Sequence, residues 1–171
     1  IGNSALSSIT NHFDNTAVGT GAMNNATANQ CVAMGHNALA ASTGDYNTAV
    51  GKSALAVNTT GHSNVALGAY ALDSNLTGGR NVAVGYFALD ANTTGGDNVA
   101  VGREALKANS TGGENVAIGS QSLTSHTTSF HNVGVGRRTL YVNTTGSNNI
   151  AIGSYALDAN TTANHNTGVG F

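Results

Sequence analysis

Side chains that could carry out acid–base chemistry are sparse in this sequence of 171 residues, which holds eight Asp and Glu residues and six His. Asp73, Asp90 and Lys107 are evenly spaced along the chain. If a repeat brings these positions together, the two carboxylates could share a proton at a raised pKa, as a general acid requires. A solvated row of charges with a Lys neighbour explains the same residues, and no further acidic cluster suits a glycan-cleaving enzyme. The sequence therefore predicts no catalytic residue and no enzyme.

Metal and cofactor chemistry is equally weak in the sequence. The histidines are His12, His36, His62, His126, His131 and His165. Most of them fall in non-adjacent segments, so one chain does not bring two ligands to one ion; three copies of a single His around a threefold axis, or exposed loop polarity, are the alternatives. The sequence has no G-x-S-x-G, H-E-x-x-H or P-loop motif. We expect no metal and no cofactor.

Composition excludes several classes of protein. The chain has 23 Gly, no Pro, one Cys and 8% charged residues, with 40% hydrophobic residues and a formal net charge of -2. Disorder requires higher charge and lower hydrophobicity. Six Lys and Arg residues form no basic footprint for nucleic acid, and no apolar run has the roughly 20 residues that a membrane helix needs. We expect neither a nucleic-acid partner nor insertion into a membrane.

A short tandem repeat dominates the chain. The sequence separation between successive glycines that follow an apolar segment is 17, then 16 twice, and then 17 seven times. These coil glycines are Gly2, Gly19, Gly35, Gly51, Gly68, Gly85, Gly102, Gly119, Gly136, Gly153 and Gly170. The unit 81–97 reads N-V-A-V-G-Y-F-A-L-D-A-N-T-T-G-G-D. We interpret residues 1–171 as a single tandem-repeat segment whose two ends fall within repeats of a longer fibre.

The repeat length predicts the fold class. A helical repeat needs roughly 33 residues, so each unit is expected to be one coil of an all-β, parallel β-solenoid of about ten coils. Strand alternation puts Val82 and Val84 on one face and Ala83 on the other. The columns that contain Val84 and Leu89 are apolar in every repeat, and we expect these two columns to form the core.

Asparagine occupies one column of the stack almost without exception. Its members are Asn47, Asn64, Asn81, Asn98, Asn115, Asn132, Asn149 and Asn166, with Asn15 before them and Cys31 as the interruption. Stacked amides can bond to one another or to the backbone. We expect a structural Asn ladder, with ligand contact as the alternative.

A second column holds nothing larger than Ala. It includes Ala66, Ala83, Ala100, Ala117, Gly134 and Ala151. A solvent-facing column would tolerate larger residues, so we expect another backbone to pack against it, with each strand buried on both sides. This pattern favours a core shared between chains.

Variable corner positions are the candidates for recognition, because loops on a rigid scaffold carry specificity. The candidate residues are Tyr70, Tyr86, Phe87, Arg137, Arg138 and Tyr141. The aromatic rings could stack on a sugar, or they could fill a surface or inter-chain groove. Asn-x-Ser/Thr occurs seven times, mostly because the repeat contains Asn-Thr-Thr; turn chemistry accounts for these sites without glycosylation.

At N-V-A-V-G and N-T-A-V-G the sequence resembles the head repeats of YadA-like trimeric autotransporter adhesins. The longer unit N-x-A-V-G-x-x-A-L-x-x-N-T-T-G resembles even more closely the repeats of phage tail fibres and of tail-fibre-like bacterial surface adhesins. The resemblance covers the whole chain, although its period of 17 exceeds that usual for YadA heads. It implies a left-handed β-roll, intertwined or packed as a homotrimer, that acts outside the cell or on a virion.

These expectations combine into a functional hypothesis. The chain is expected to be a structural and adhesive fibre segment, the shaft or head of a tail fibre or surface adhesin that attaches to a host or prey cell. Its partners would be two further copies of itself and, at the surface, a cell-surface glycan or a protein receptor. The alternative is a single-chain Thr/Asn-rich solenoid that binds ice or a glycan surface.

Overall fold

The computed structural model describes residues 1–7 and 13–171, so His12 lies outside the described residues. Within these ranges the chain forms ten strands of three residues each and no helix. The strands are β1 (Thr16–Val18), β2 (Val32–Met34), β3 (Thr48–Val50), β4 (Val65–Leu67), β5 (Val82–Val84), β6 (Val99–Val101), β7 (Val116–Ile118), β8 (Val133–Val135), β9 (Ile150–Ile152) and β10 (Thr167–Val169). No described segment is a helix long and apolar enough to cross a membrane.

The strands stack into one parallel sheet in chain order. Each triplet pairs with the same triplet of the next coil, as Val82, Ala83 and Val84 do with Val99, Ala100 and Val101. The two shorter coils keep this register, because Thr16 pairs with Val32 and Val32 with Thr48. The fold is therefore an all-β parallel β-solenoid of about nine turns.

Backbone hydrogen bonds between coils continue around the corners, beyond the strands. Leu89 N donates to Ala105 O at 3.0 Å, and Asp97 N donates to Gly79 O at 3.1 Å. Corner groups that would otherwise be buried without a partner are thus satisfied by the neighbouring coil. Three-residue strands suffice because the whole coil takes part in the ladder.

The core lies between the middle residues of the strands and the Leu column. Ala83, Ala88 and Leu89 are fully buried, as are the equivalent residues of neighbouring coils. Val84 is only half-buried, and Leu67 and Ile152 of the same column are 47% and 43% exposed. The expectation that the Val84 column forms the core is therefore wrong: the coil interior is narrow, and the larger residues of each triplet point outward.

The Ala column faces the inside of the coil, whereas the prediction placed it on the outside against a second chain. Ala66, Ala83, Ala100, Ala117, Gly134 and Ala151 point into the chain's own interior. At Gly134 an added Cβ would lie 2.6 Å from Ser122 Oγ and 2.7 Å from Thr139 Oγ1. The close neighbours that restrict this column are side chains of the same chain, so the interpretation that a second chain packs against it is wrong.

Left-handed backbone conformations shape the corners. Coil glycines such as Gly85 have a φ of 138°, and a Cβ there would lie 2.6 Å from the carbonyl oxygen of Gly102. Leu89 is buried at a φ of 51°, and Phe87 lies at 55°. Non-glycine residues adopt this region at a cost of about 1 kcal/mol or more. The repeated corner, with its coil-to-coil hydrogen bonds and buried Leu, offsets that cost.

Two buried ladders of polar side chains run along the stack. In the first, Asn98 Nδ2 donates to Gly112 O at 2.9 Å, and Asn98 Oδ1 accepts the backbone N–H of Asn115 at 3.1 Å. The second ladder was not foreseen: it holds the Asn of each Asn-x-Thr corner. In it, Asn92 Nδ2 donates to Asn75 Oδ1 at 2.9 Å and to Gly95 O at 3.0 Å. Most of these buried amides bond to neighbouring coils, which fixes the register between coils; the exception is Asn109 Oδ1, which has no hydrogen-bond partner, because the next member of its column is His126 instead of Asn.

Candidate functional site

The predicted recognition residues lie along one edge of the solenoid, the aromatic corner. It consists of the residues one, two and five positions after each coil glycine in the segments 52–107 and 137–155. Residues of these three positions contact one another within a coil and between adjacent coils, as Tyr86 does with Phe87 and Tyr70 with Phe87. The structure places the six predicted residues in two groups on this edge.

The first group is a cluster of three aromatic rings that lies between two lysines. Tyr70 and Phe87 are stacked with their centroids 5.0 Å apart, and Tyr86 lies edge-on to Phe87 at 4.2 Å. Lys52 Nζ lies 5.3 Å from the Tyr70 ring, and Lys107 Nζ lies 4.9 Å from the Phe87 ring. Cation–π contacts therefore occupy both ends of the stack, which makes the group a self-contained surface cluster.

Asp73 and Asp90 adjoin this group. Burial raises the pKa of Asp73. Burial and the neighbouring Asp73 carboxylate raise the pKa of Asp90, while Lys107 opposes that rise. Both carboxyl groups are half-buried. The pair thus combines the two causes that raise a carboxyl pKa. The next acid along this edge, Glu104, is paired with Arg103 at 3.0 Å and with Lys107 at 3.8 Å.

The second group joins two arginines to two tyrosines. The Arg138 guanidinium carbon lies 4.1 Å from the Tyr141 ring and 5.9 Å from that of Tyr155. Arg137 lies 5.5 Å from the Tyr155 ring. Tyr155 was not among the predicted residues, although the repeat places it one coil after Arg138. No carboxylate of the described residues lies within ion-pair distance of either arginine.

A polar groove lies at the opposite end of the repeat unit, at the Asn-Thr-Thr-Gly-Gly corner. It encloses about 390 Å³ and crosses the coils between His62 and Phe130. One wall consists of Thr77, Thr94 and Thr111, and Gly79, Gly96 and Gly113 form the floor. The other wall holds the Arg80–Asp97 pair, whose two hydrogen bonds measure 2.6 and 2.7 Å, and Glu114. The sequence pattern had indicated only a turn at this corner.

Histidine and cysteine side chains are dispersed. Among the described residues no group of three or more His, Cys, Asp or Glu side chains could hold a metal ion. His131 Nε2 lies 3.2 Å from Glu114 Oε2 at the surface, whereas His126 is buried within the second ladder. Burial raises the pKa of the Cys31 thiol, whose Sγ lies 3.3 Å from Asn29 O.

The Asn-x-Ser/Thr sites are mostly inaccessible. Asn58, Asn75, Asn92, Asn109 and Asn143 are fully buried. Each Nδ2, the atom a glycan would modify, donates instead to the carbonyl three residues later. Glycosylation at these five positions would require the corner to open.

An extended apolar face covers the outside of the sheet. This outer face consists of the first and third residues of β1–β10, and 17 of these 20 positions are apolar. Leu67, Ile118 and Ile150 are 47%, 40% and 41% exposed. At the strand spacing of about 4.8 Å the face is roughly 43 Å long. Apolar surface that is continuous over such a length is characteristic of an interface.

No family model matches the chain, and neither a curated protein nor a solved structure matches it.

Proposed function

We propose that the chain is a segment of a homotrimeric fibre, with left-handed coiling, that acts outside the cell or on a virion in attachment to a host or prey cell. The observation that carries the proposal is the outer face: each coil contributes two side chains to it, nearly all of them apolar, and the chain's own core does not cover them. The resemblance of the repeat to trimeric adhesin heads and tail fibres supports the same assignment.

Further copies of the chain are the occupants that suit this face. The face runs parallel to the solenoid axis with one repeat about every 4.8 Å. A second copy presents the same repeat, so parallel copies can match along the whole length. A closed ring of three such faces would bury all of them against one another, whereas an open arrangement would leave one face exposed. The small residues inside each coil leave the larger Val, Ile and Leu side chains for this shared core.

The distribution of charge agrees with an interface on this side. The outer face contains no charged residue among its 20 positions. By contrast, the paired charges Arg80–Asp97 and Arg103–Glu104 lie outside the strands. An apolar centre with charges kept to the margins is the usual composition of a permanent interface. The chain is proposed to act without catalysis, since the supporting features are all structural.

Binding to ice by a single chain is the alternative, and one observation limits it. In four of the five Thr-Thr pairs the hydroxyl of the first Thr donates to a carbonyl of the next coil. For example, Thr93 Oγ1 donates to Ser110 O at 3.0 Å, and Thr144 Oγ1 donates to Thr161 O at 3.2 Å. In both pairs only the second Thr is exposed. One free hydroxyl column is narrower than the flat two-column array that ice binding would favour.

The test uses the double variant Leu67→Lys/Ile118→Lys. Both side chains lie on the outer face and are 47% and 40% exposed, so the coil interior is untouched. We expect the wild type to have the mass of three chains in solution and the variant to have the mass of one, with unchanged circular dichroism. The control is Tyr46→Lys. Tyr46 lies away from the outer face and is 60% exposed, so this variant should stay trimeric. A double variant that remains trimeric would overturn the proposed interface.

A further inference from the structure

We infer that the polar groove between His62 and Phe130 is a binding site for an extended, neutral oligosaccharide. The inference supplies a ligand for the attachment role and rests on that proposed function only for its biological setting, since one chain contains the whole groove. The floor, the Thr hydroxyls, the paired charges and the end walls each contribute to the fit.

The floor is made of glycines whose backbone torsions do not demand glycine, although space for a Cβ is tight, since one on Gly113 would lie 2.9 Å from the Gly96 carbonyl oxygen. Gly79, Gly96 and Gly113 lie outside the left-handed region of φ. A Cβ on Gly96 would meet the carbonyl oxygen of Gly79 at 3.1 Å, and the next atom lies at 3.9 Å. The same column carries His62, Phe130, Ser147 and Asn164 in other coils, so the coil accommodates side chains there. Their absence from three consecutive coils is what opens the groove.

The Thr wall presents hydroxyl groups without a protein partner. The second Thr of the corner recurs in seven consecutive coils, at Thr60, Thr77, Thr94, Thr111, Thr128, Thr145 and Thr162. All seven are exposed, and the hydroxyls of Thr77, Thr94 and Thr111 make no hydrogen bond within the described residues. By contrast, the preceding residue of each corner, directly after the Asn, varies among Thr, Leu and Ser. A row of donors and acceptors about 4.8 Å apart suits a polymer whose units repeat at a similar spacing.

The opposite wall offers fixed polar edges. Arg80 and Asp97 form a bidentate pair with both side chains still 60% and 43% exposed, and Glu114 is held by His131 at 3.2 Å. Because Arg80 and Asp97 neutralise each other and Glu114 adds no positive charge, this wall can exchange hydrogen bonds with sugar hydroxyls without demanding an anionic ligand. This pairing is why a neutral glycan fits better than an anionic one.

The end walls define the length. His62 closes one end and Phe130 the other, four coils away, which corresponds to about 19 Å. The Phe130 ring is 44% exposed and lies beside Gly113, where an added Cβ would be 3.3 Å from the ring. An exposed ring at the end of a polar groove is suited to contact with the apolar face of a sugar. The groove therefore accommodates a short run of linked sugars.

Binding is tested with cellohexaose and chitohexaose as probes, by calorimetry and saturation-transfer NMR on the intact chain. Gly96→Phe should abolish binding, because a ring then fills the middle of the groove. Asn164→Phe puts the same ring in the same column outside the groove and should bind as the wild type does. Thr94→Val keeps the side-chain shape but removes one hydroxyl, and we expect about a fivefold weaker affinity. Its control, Thr145→Val, should show no change.

The outcomes separate the groove from the fibre. A wild type that binds neither probe, or a folded Gly96→Phe variant that binds as tightly as the wild type, would overturn the site. Thermal hysteresis without glycan binding would assign the Thr column to ice instead and would likewise overturn it. The mass of each variant in solution is measured in parallel. A monomer that binds a probe would contradict the proposed trimeric fibre but support the binding site in the groove. A trimer that binds neither probe would support the fibre and overturn the binding site.

Discussion

Acidification should destabilise the solenoid through one buried histidine. His126 takes the place of Asn in the second ladder, where Asn143 Nδ2 lies 3.3 Å from Nδ1 and the Ser129 carbonyl oxygen 3.2 Å from Nε2. A neutral ring can accept from Asn143 at Nδ1 and donate to the Ser129 carbonyl oxygen at Nε2. A second amide donor, Asn132 Nδ2, lies 3.4 Å from Nε2. Burial lowers the pKa of His126 from 6.5 to about 4. A protonated ring would be buried without a counter-charge and would face an amide donor.

The magnitude follows from this difference in pKa. The unfolded chain binds the proton near pH 6.5 and the folded chain only near pH 4, so the unfolded state holds more protons in between. The contribution of the neutral His126 to the free energy of unfolding is therefore fully present above about pH 6.5 and is lost as the pH drops towards 4. At about 1.4 kcal/mol per pH unit, the loss in free energy of unfolding reaches about 3 kcal/mol.

The assay compares urea unfolding at pH 7.5 and pH 4 for the wild type and His126→Asn, at one protein concentration. Asn occupies this column in the neighbouring coils, so the variant should fold normally and lose about 3 kcal/mol less than the wild type on acidification. His36→Asn, at an exposed position, is the control and should keep the pH dependence of the wild type. Equal acid sensitivity of the wild type and His126→Asn would refute the reasoning.

Three further substitutions test the coil itself by the change in free energy of unfolding in urea. Gly85→Ala should cost about 3 kcal/mol or more, because its φ is 138° and the new methyl would meet Gly102 O at 2.6 Å; a near-neutral effect would contradict the close stacking of the coil glycines. Leu89→Ala should cost about 3 kcal/mol, since Leu89 is fully buried, and a loss below about 1 kcal/mol would show that it is not a core residue. Ser53→Gly should stabilise the chain by about 0.5 kcal/mol, because Ser53 has a φ of 55° and Gly21 already occupies the same column; destabilisation would contradict the assigned backbone.

Periodicity was sufficient to predict the fold class. A fixed spacing of glycines and apolar triplets defines the length of one coil, and parallel stacking then follows, because equal positions must lie next to each other. The register of Val82 on Val99 is a direct consequence of the constant repeat length. The shorter coils kept their strand pairing since the missing residue falls in a corner.

The direction of each column could not be derived in the same way. Strand alternation separates Val82 and Val84 from Ala83, but it does not say which set is inside. Choosing the larger residues for the core gave the wrong face, because the interior opposite the strand is so narrow that the middle residue of every strand is Ala or Gly. The left-handed φ of Leu89 carries no sequence signature of its own, as Leu rarely adopts that region.

The candidate sites were only partly predictable. The repeat brings Tyr70 next to Phe87, and the same spacing would have found Tyr155 beside Arg138. The groove was not recognised, since its floor is defined by missing side chains at Gly79, Gly96 and Gly113, and glycine in a corner is ordinarily attributed to turn geometry. Comparing that column with His62 and Phe130 is what distinguishes an open groove from a turn.

The mass of the chain in solution tests the central claim most directly, namely that the outer face is covered by two further copies. Sedimentation equilibrium over a hundredfold range of concentration should give three times the chain mass of 17.0 kDa. A folded monomer of 17.0 kDa throughout that range would contradict the account, because the apolar face of β1–β10 would then be exposed to water.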